Sequence, residues 1–348
     1  MAPRRPGTGR WPGAAWMLLL AAGAALGGHL LLGCSTLLDF GECESHADCY
    51  RSKGSRYVCS PERYCIFQPL ESSRVGCKLD EGMEFDERSV VVATLLTGST
   101  EQKQRYRERA ALLALEQIDT AGGLDDHRFS LLRCSPPAPA AGEDPYSGTL
   151  AAAEHLRATR RVAAVLGACS SQQTIDVFQD VFRDAGILLI SPSATSAAIS
   201  FLDDGGLLWR TAPTDLGQGR ALAHYARAWS PTRVAFVGRD DAYGRGLQET
   251  FSREFCGEER CTAEHYLSRT VPAVPAATSP PSAQLVAELE QFSPDLVVAV
   301  IYTDFALQLI PALERSVHPG WLLSDGAYSP DLATSLSMET SRRIRGTK

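Results

Sequence analysis

Val162-Ala163-Ala164-Val165-Leu166-Gly167-Ala168-Cys169-Ser170-Ser171 is the stretch whose reading decides the fold. Its first half is an unbroken apolar run, as expected of a strand buried on both faces of a helix-covered parallel sheet. Within a few residues it gives way to a helix predicted over 172–184, which stops before Gly186; Ile187-Leu188-Leu189-Ile190 is again a buried strand. Working outward, the same unit recurs. Residues 89–96 form another near-continuous apolar run. Over 101–119, Ala110, Leu113, Ala114, Gln117 and Ile118 fall at helical spacing, and Ala121-Gly122-Gly123 ends that helix. A strand at 129–132, a Pro/Gly-rich loop over 135–148 and a helix at 151–159 fill the interval. The order βαβαβαβ predicts a mostly parallel sheet with right-handed crossovers.

The rhythm then repeats, with helices predicted at 216–229, 243–255, 284–291 and 304–315, and strands at 234–237, 263–268, 296–301 and 321–323. A proline-rich, uncharged loop spans 270–283. The two sets meet near Arg210-Thr211-Ala212-Pro213. The fold class is therefore α/β, with two doubly wound, Rossmann-like lobes at 88–212 and 213–348, the second incomplete. A sheet ending near Leu323 leaves strand 296–301 with open apolar faces unless another segment covers them.

Ahead of the lobes, Arg4, Arg5 and Arg10 precede an almost uncharged apolar segment over 11–32, followed by Gly33-Cys34. A basic head, an apolar core and a small residue before a cut site predict an export signal at 1–33. A retained membrane helix is the alternative, since the segment is long enough to span. Leu31-Leu32-Gly33-Cys34 looks like a bacterial lipobox. Cys34 is then the lipidated first residue of a membrane-anchored lipoprotein facing the periplasm or cell surface. The chain has ten cysteines, too many for a reducing compartment. Cys43, Cys49, Cys59, Cys65 and Cys77 crowd a module and linker at 34–80 that has few long apolar runs, so cross-links must stand in for a core there. No Cys-x-x-Cys pair marks a zinc site. With Cys34 set aside nine cysteines remain, so one thiol is free or its partner lies outside this chain. The formal net charge of −7 lacks the basic footprint of a nucleic-acid binder and gives no long-range grip on anionic lipid.

Ligands of open α/β sheets bind beyond the carboxyl ends of strands. Three such loops carry suitable groups. Ser170 or Ser171 caps the helix after 162–166, and the amides of that first turn suit a carboxylate. Ser191-Pro192-Ser193-Ala194-Thr195-Ser196 is rich in hydroxyls. Ser324-Asp325-Gly326 offers an isolated negative charge for an ammonium. Each has an ordinary alternative: a plain helix cap, hydroxyls tying down their own loop, an Asp-Gly turn. Because the loops belong to different lobes, a cleft between them fits a zwitterion, and an amino acid is the simplest one. There is no Gly-x-Ser-x-Gly, His-Glu-x-x-His or phosphate-loop motif, and a hydrolase built on Ser170 or Ser191 lacks an identifiable general base. No catalytic residue, metal or cofactor is expected.

From 90 to 348 the chain resembles the type I periplasmic binding proteins, in the leucine/isoleucine/valine-binding branch. The resemblance is carried by Ala114-Leu115-Glu116-Gln117-Ile118-Asp119-Thr120-Ala121-Gly122-Gly123, by 166–171, by 184–195, by Trp209-Arg210-Thr211 and Gln218-Gly219, and by Asp241-Ala242-Tyr243-Gly244-Arg245-Gly246. It implies two lobes that close on a ligand, whose carboxylate lies at Ser170 with further contacts from Ser193 and Thr195. Tyr243 and Tyr302 match cleft tyrosines, and Asp325 stands where a family acid takes the α-ammonium. Thr303-Asp304 departs from the family's glycine-rich continuation, and Lys103 falls where an aromatic is usual. The resemblance also implies a Cys134–Cys169 disulfide and, as partner, an ABC permease for amino-acid uptake. Cys256 and Cys261, close in sequence, are expected to pair as well. Relatives continue for about another hundred residues, as the size of a lobe suggests, and residues 41–80 lie outside the resemblance. The competing expectation is a cell-surface sensory or scaffold protein that uses the same fold for ligand or protein recognition.

Overall fold

A computed structural model describes residues 41–347 apart from 55, 84, 87, 98–100, 126, 138–143, 145, 258–260 and 274–280. The expected leader and the lipidation site at Cys34 lie outside the described residues. The chain divides into a unit ending at Phe67 and a larger one from Gln68 onward.

In the small unit, helix α1 (His46–Lys53) is followed by the antiparallel pair β1 (Tyr57–Cys59) and β2 (Cys65–Phe67). Disulfides join Cys43 to Cys59 and Cys49 to Cys65. These four buried cysteines, with half-buried Tyr57 against them, make up the unit's apolar cluster. Cross-links thus do the work of a core that so short a segment cannot build. The sulfurs of Cys43, Cys49 and Cys59 lie within 4.8 Å of one another as neighbouring disulfides, not as thiolates available to a metal.

The larger unit opens with β3 (Cys77–Leu79), β4 (Val90–Leu95), α2 (Glu101–Thr120), β5 (Phe129–Cys134), α3 (Ser147–Thr159) and β6 (Val162–Gly167). Helix α4 (Ser171–Val177) follows and runs into a π turn at Phe178–Phe182, and then come β7 (Leu188–Ser191) and β8 (Leu208–Arg210). The sheet order is β3-β5-β4-β6-β7-β8, with β3 antiparallel to β5 and the remaining pairs parallel. Val91, Ala93, Leu95, Leu132, Val165 and Leu189 turn one face of it onto Leu156, Phe178 and Phe182, all fully buried. Truncating either phenylalanine there costs about 3–5 kcal/mol. Val92 and Leu131 point the other way, onto Leu115 of α2.

The expected Cys134–Cys169 disulfide does not form. Cys77 stands directly opposite Cys134 in the β3–β5 register, and these two are bonded. Cys169 lies beyond β6, which β4 separates from β5, and it stays a buried thiol whose sulfur accepts a hydrogen bond from Arg107 at 2.9 Å. Cys256 and Cys261 are bonded as expected.

The second sheet is built from α5 (Asp215–Ala228), β9 (Val234–Arg239), α6 (Ala242–Cys256), β10 (Tyr266–Val271), α7 (Ala283–Phe292) and β11 (Leu296–Val300). It continues through α8 (Thr303–Leu313), β12 (Gly320–Leu323), α9 (Pro330–Ser335), α10 (Met338–Arg342) and β13 (Ile344–Gly346). All pairs are parallel in the order β10-β9-β11-β12-β13. The open strand faces expected from a sheet ending near Leu323 are not found at β11. All of its residues are fully buried, because helices cover both sides of the sheet and β13 extends it beyond β12. Val297 and Ala299 meet Leu289 and Leu309 on one side, while Leu296, Val298 and Val300 meet Leu222, Leu247 and Phe251 on the other. Among the described residues no helix is long and apolar enough to cross a membrane.

Candidate ligand-binding site

Strand β6 ends on Gly167, whose φ of +144° and close approach to β4 leave no room for a side chain: a Cβ there would lie 2.1 Å from the Leu95 carbonyl oxygen. The chain then turns through Ala168 and Cys169 into α4. Ser170 caps that helix, its Oγ accepting from the Gln173 amide at 3.3 Å and donating to Gln173 Oε1 at 3.1 Å. Gln173 Nε2 donates in turn to Thr149 Oγ1 at 3.2 Å, and Thr149 to Thr97 Oγ1 at 3.1 Å. A buried row of neutral polar groups therefore leads away from Ser170 to the start of α3.

The loop after β7 is tied to this one by hydroxyls. Ser191 Oγ donates to the Ala168 carbonyl at 2.6 Å and accepts from the Ala194 amide at 3.0 Å. Ser193 Oγ donates to the Cys169 carbonyl at 2.8 Å, and Ser171 Oγ accepts from the amides of Thr195 and Ser196 at 3.2 and 3.1 Å. The ordinary readings of Ser170 and Ser193, as cap and loop tie, thus hold in this structure, and both residues still stand at the mouth of the first sheet.

On the second sheet Tyr243, in the first turn of α6, is buried, and its hydroxyl lies 2.7 Å from Asp325 Oδ1 and 2.9 Å from Ser324 Oγ. It also accepts from the Gly326 amide at 3.2 Å, so Asp325 is held in place at the end of β12. Tyr302, just before α8, stacks on Tyr243 with ring centroids 6.0 Å apart. The Arg239 guanidinium sits 3.9 Å from the centre of the Tyr302 ring. Burial, with Asp325 adding to it, holds the Tyr243 phenol well above its ordinary value, so it remains a neutral donor.

The two loop sets meet. The Ala242 amide donates to Gln172 Oε1 at 3.0 Å, and Ser196 Oγ donates to the Ala242 carbonyl at 2.9 Å. Ser170, Ser193 and Thr195 stand at strand ends of one sheet, and Tyr243, Tyr302 and Asp325 at strand ends of the other.

Further polar residues that the sequence reading passed over stand behind these groups. Asp215, at the start of α5, is 1% exposed, receives a hydrogen bond from the Thr195 side chain, and has no partner for Oδ2 among the described residues. Burial pushes its carboxyl up to about 7; Thr195 and Arg210 hold it down, while Asp325 and Asp241 push it further up. Arg239 and Asp241 form a buried pair: Nε and Nη2 donate to Asp241 Oδ2 at 2.9 and 2.6 Å, and Asp241 Oδ1 caps α6 by accepting from the Gly244 amide at 2.9 Å. Tyr146, at the start of α3, is raised to about 12 by burial, and both Arg239 and Asp241 act on it. An arginine closing an otherwise apolar strand was the available signal for the pair; nothing in the pattern around Tyr146 marks it.

The sequence profile of the family described as Periplasmic binding protein matches residues 89–336. The leucine-specific-binding protein of Salmonella typhimurium is 25% identical over 174 residues, covering 50% of this chain and 45% of that protein. The leucine-, isoleucine-, valine-, threonine-, and alanine-binding protein of Pseudomonas aeruginosa is 26% identical over 166 residues, 47% of this chain and 42% of that one. The matched part of the chain thus spans less than half the length of either relative. A solved leucine binding protein from Thermotoga maritima shares the fold, with a TM-score of 0.56 at 15% identity, covering 72% of this chain and 67% of that one.

Proposed function

We propose, for a chain that belongs to the periplasmic binding protein family, that its cleft captures an amino acid as the solute-binding part of an ABC-type uptake system. The observation that carries this reading is the meeting of two chemically complementary strand-end sets. Amides in the first turn of α4, with the hydroxyls of Ser170, Ser193 and Thr195 once turned from Gln173, the Cys169 carbonyl and Asp215, suit a carboxylate, and the acid Asp325, fixed by Tyr243, suits an ammonium. Binding is non-covalent. The first set takes the carboxylate, and approach of the second brings Asp325 onto the ammonium; that desolvated charge pair adds specificity more than net affinity. The names of the two curated relatives, both amino-acid-binding proteins, support the ligand class, and a branched-chain amino acid is the reading taken from them directly. The disulfides suit an oxidising compartment. Export, lipid attachment at Cys34 and delivery to an ABC permease complete the reading.

Thermal unfolding of the full chain against a panel of amino acids tests it. A ligand at about one hundred times its Kd adds about 2.7 kcal/mol to stability, which moves the midpoint by several degrees. A folded chain whose midpoint no amino acid moves refutes the reading.

A further inference from the structure

A leucine side chain calls for an apolar pocket, and here a cation lies over Tyr302, one of the tyrosines assigned to the site. Arg239 ends a strand otherwise made of Val234-Ala235-Phe236-Val237-Gly238 and is only 6% exposed. Nε and Nη2 are committed to Asp241, and the guanidinium lies over the Tyr302 ring. Nη1 makes no hydrogen bond within the described residues, and it is not among the buried atoms that lack a partner, so it keeps its contact with solvent. Tyr302 in turn stacks on Tyr243, whose hydroxyl holds Asp325. The row that starts at the proposed ammonium end therefore leads through two stacked tyrosines to Arg239.

We propose that this row is the side-chain subsite of the cleft and takes a ligand whose side chain ends in a hydrogen-bond acceptor, received by Arg239 Nη1, in preference to a branched aliphatic one. The inference rests on the amino-acid reading above and names the ligand's chemistry within it. An aliphatic group set against Nη1 shuts it off from solvent and supplies no acceptor in return. A site built to make a hydrogen bond discriminates strongly against an analogue that lacks the group. Both a carboxamide and a carboxylate meet the requirement. Asp241 already balances the arginine, and Asp325 stands at the other end of the row, so an uncharged carboxamide brings no further anion.

Calorimetric titration of the full chain with glutamine, asparagine, glutamate and leucine tests this. The expected result is a Kd at least tenfold lower for glutamine than for leucine, with glutamate separating the acid from the amide. The paired substitution Arg239→Met with Asp241→Asn leaves no charge stranded and keeps an oxygen to cap α6; it should erase the tenfold preference. Leucine binding more tightly than both glutamine and glutamate overturns the inference and leaves the amino-acid reading standing. A paired variant that keeps the native ratio does the same. Failure of all four ligands to bind a folded native chain that another amino acid does stabilise overturns the inference alone, and failure of every amino acid overturns the amino-acid reading itself. The native-chain ratio decides the matter even if the paired variant does not fold.

Discussion

Replacing Asp215 by asparagine should stabilise this protein at neutral and alkaline pH and do little in acid. The carboxyl is 1% exposed, one of its oxygens has no partner among the described residues, and burial raises it from the ordinary 3.8 to about 7. In the unfolded chain the group ionises near the lower value. Between the two, the folded state binds the extra proton, so the stability contributed by Asp215 falls as pH rises. That contribution is fully present below about pH 4 and lost once pH passes about 7. At about 1.4 kcal/mol for each pH unit, the span from 3.8 to about 7 comes to about 4 kcal/mol as an upper figure. Asparagine keeps the size of the side chain and an acceptor for Thr195 but never ionises. Urea unfolding of native and Asp215→Asn chains should therefore give a variant more stable by about 2–4 kcal/mol at pH 8 and within about 1 kcal/mol of native at pH 4. A difference that is the same at both pH values, or a variant less stable at pH 8, would show that the carboxylate is paired or solvated and refute the reasoning.

Three further outcomes are expected. Gly167→Ala puts a Cβ 2.1 Å from the Leu95 carbonyl oxygen at a φ of +144°, and should cost at least about 2–3 kcal/mol; a melting temperature unchanged within a degree would contradict the packing of β6 on β4. Replacing Cys77 and Cys134 together by serine removes a cross-link between residues 57 apart and should cost about 2–4 kcal/mol in chemical denaturation. Non-reducing peptide mapping of the native chain should recover Cys77 bonded to Cys134 with Cys169 alkylated, and recovery of a Cys134–Cys169 peptide would sink that assignment. Tyr243→Phe removes the hydroxyl that holds Asp325 and accepts from Gly326, so amino-acid affinity in calorimetry should fall about tenfold, equal to about 1.4 kcal/mol; unchanged affinity would mean that Asp325 is not positioned through it.

The long apolar strands and their crossover helices were legible because each carries its own period. The short edges were not. Leu208–Arg210, Cys77–Leu79 and Ile344–Gly346 are three-residue strands, too brief for any alternation, and they exist because a neighbouring strand offers them its backbone. The disulfide error has the same origin: the partner of Cys134 is set by the register of β3 on β5, which sequence spacing does not report. In the site, hydroxyls and an acid at strand ends were visible as loop chemistry. Asp215 and Arg239 were not, since a helix-start acid and the Arg239-Asp240-Asp241 triplet read locally as solvated charge. Only tertiary packing buries them.

The claim that this cleft recognises both ends of an amino acid is tested most directly by calorimetry with one amino acid and two analogues, its methyl ester and its form lacking the α-amino group. The ester removes the charge assigned to the Ser170–Thr195 side, and the deaminated form the charge assigned to Asp325. Saturable binding of the amino acid is expected, with affinity lower by at least about a hundredfold for the deaminated form, which leaves Asp325 without its charge partner, and for the ester, which loses the charge that strengthens its hydrogen bonds. Binding of either analogue as tightly as the amino acid would contradict the claim.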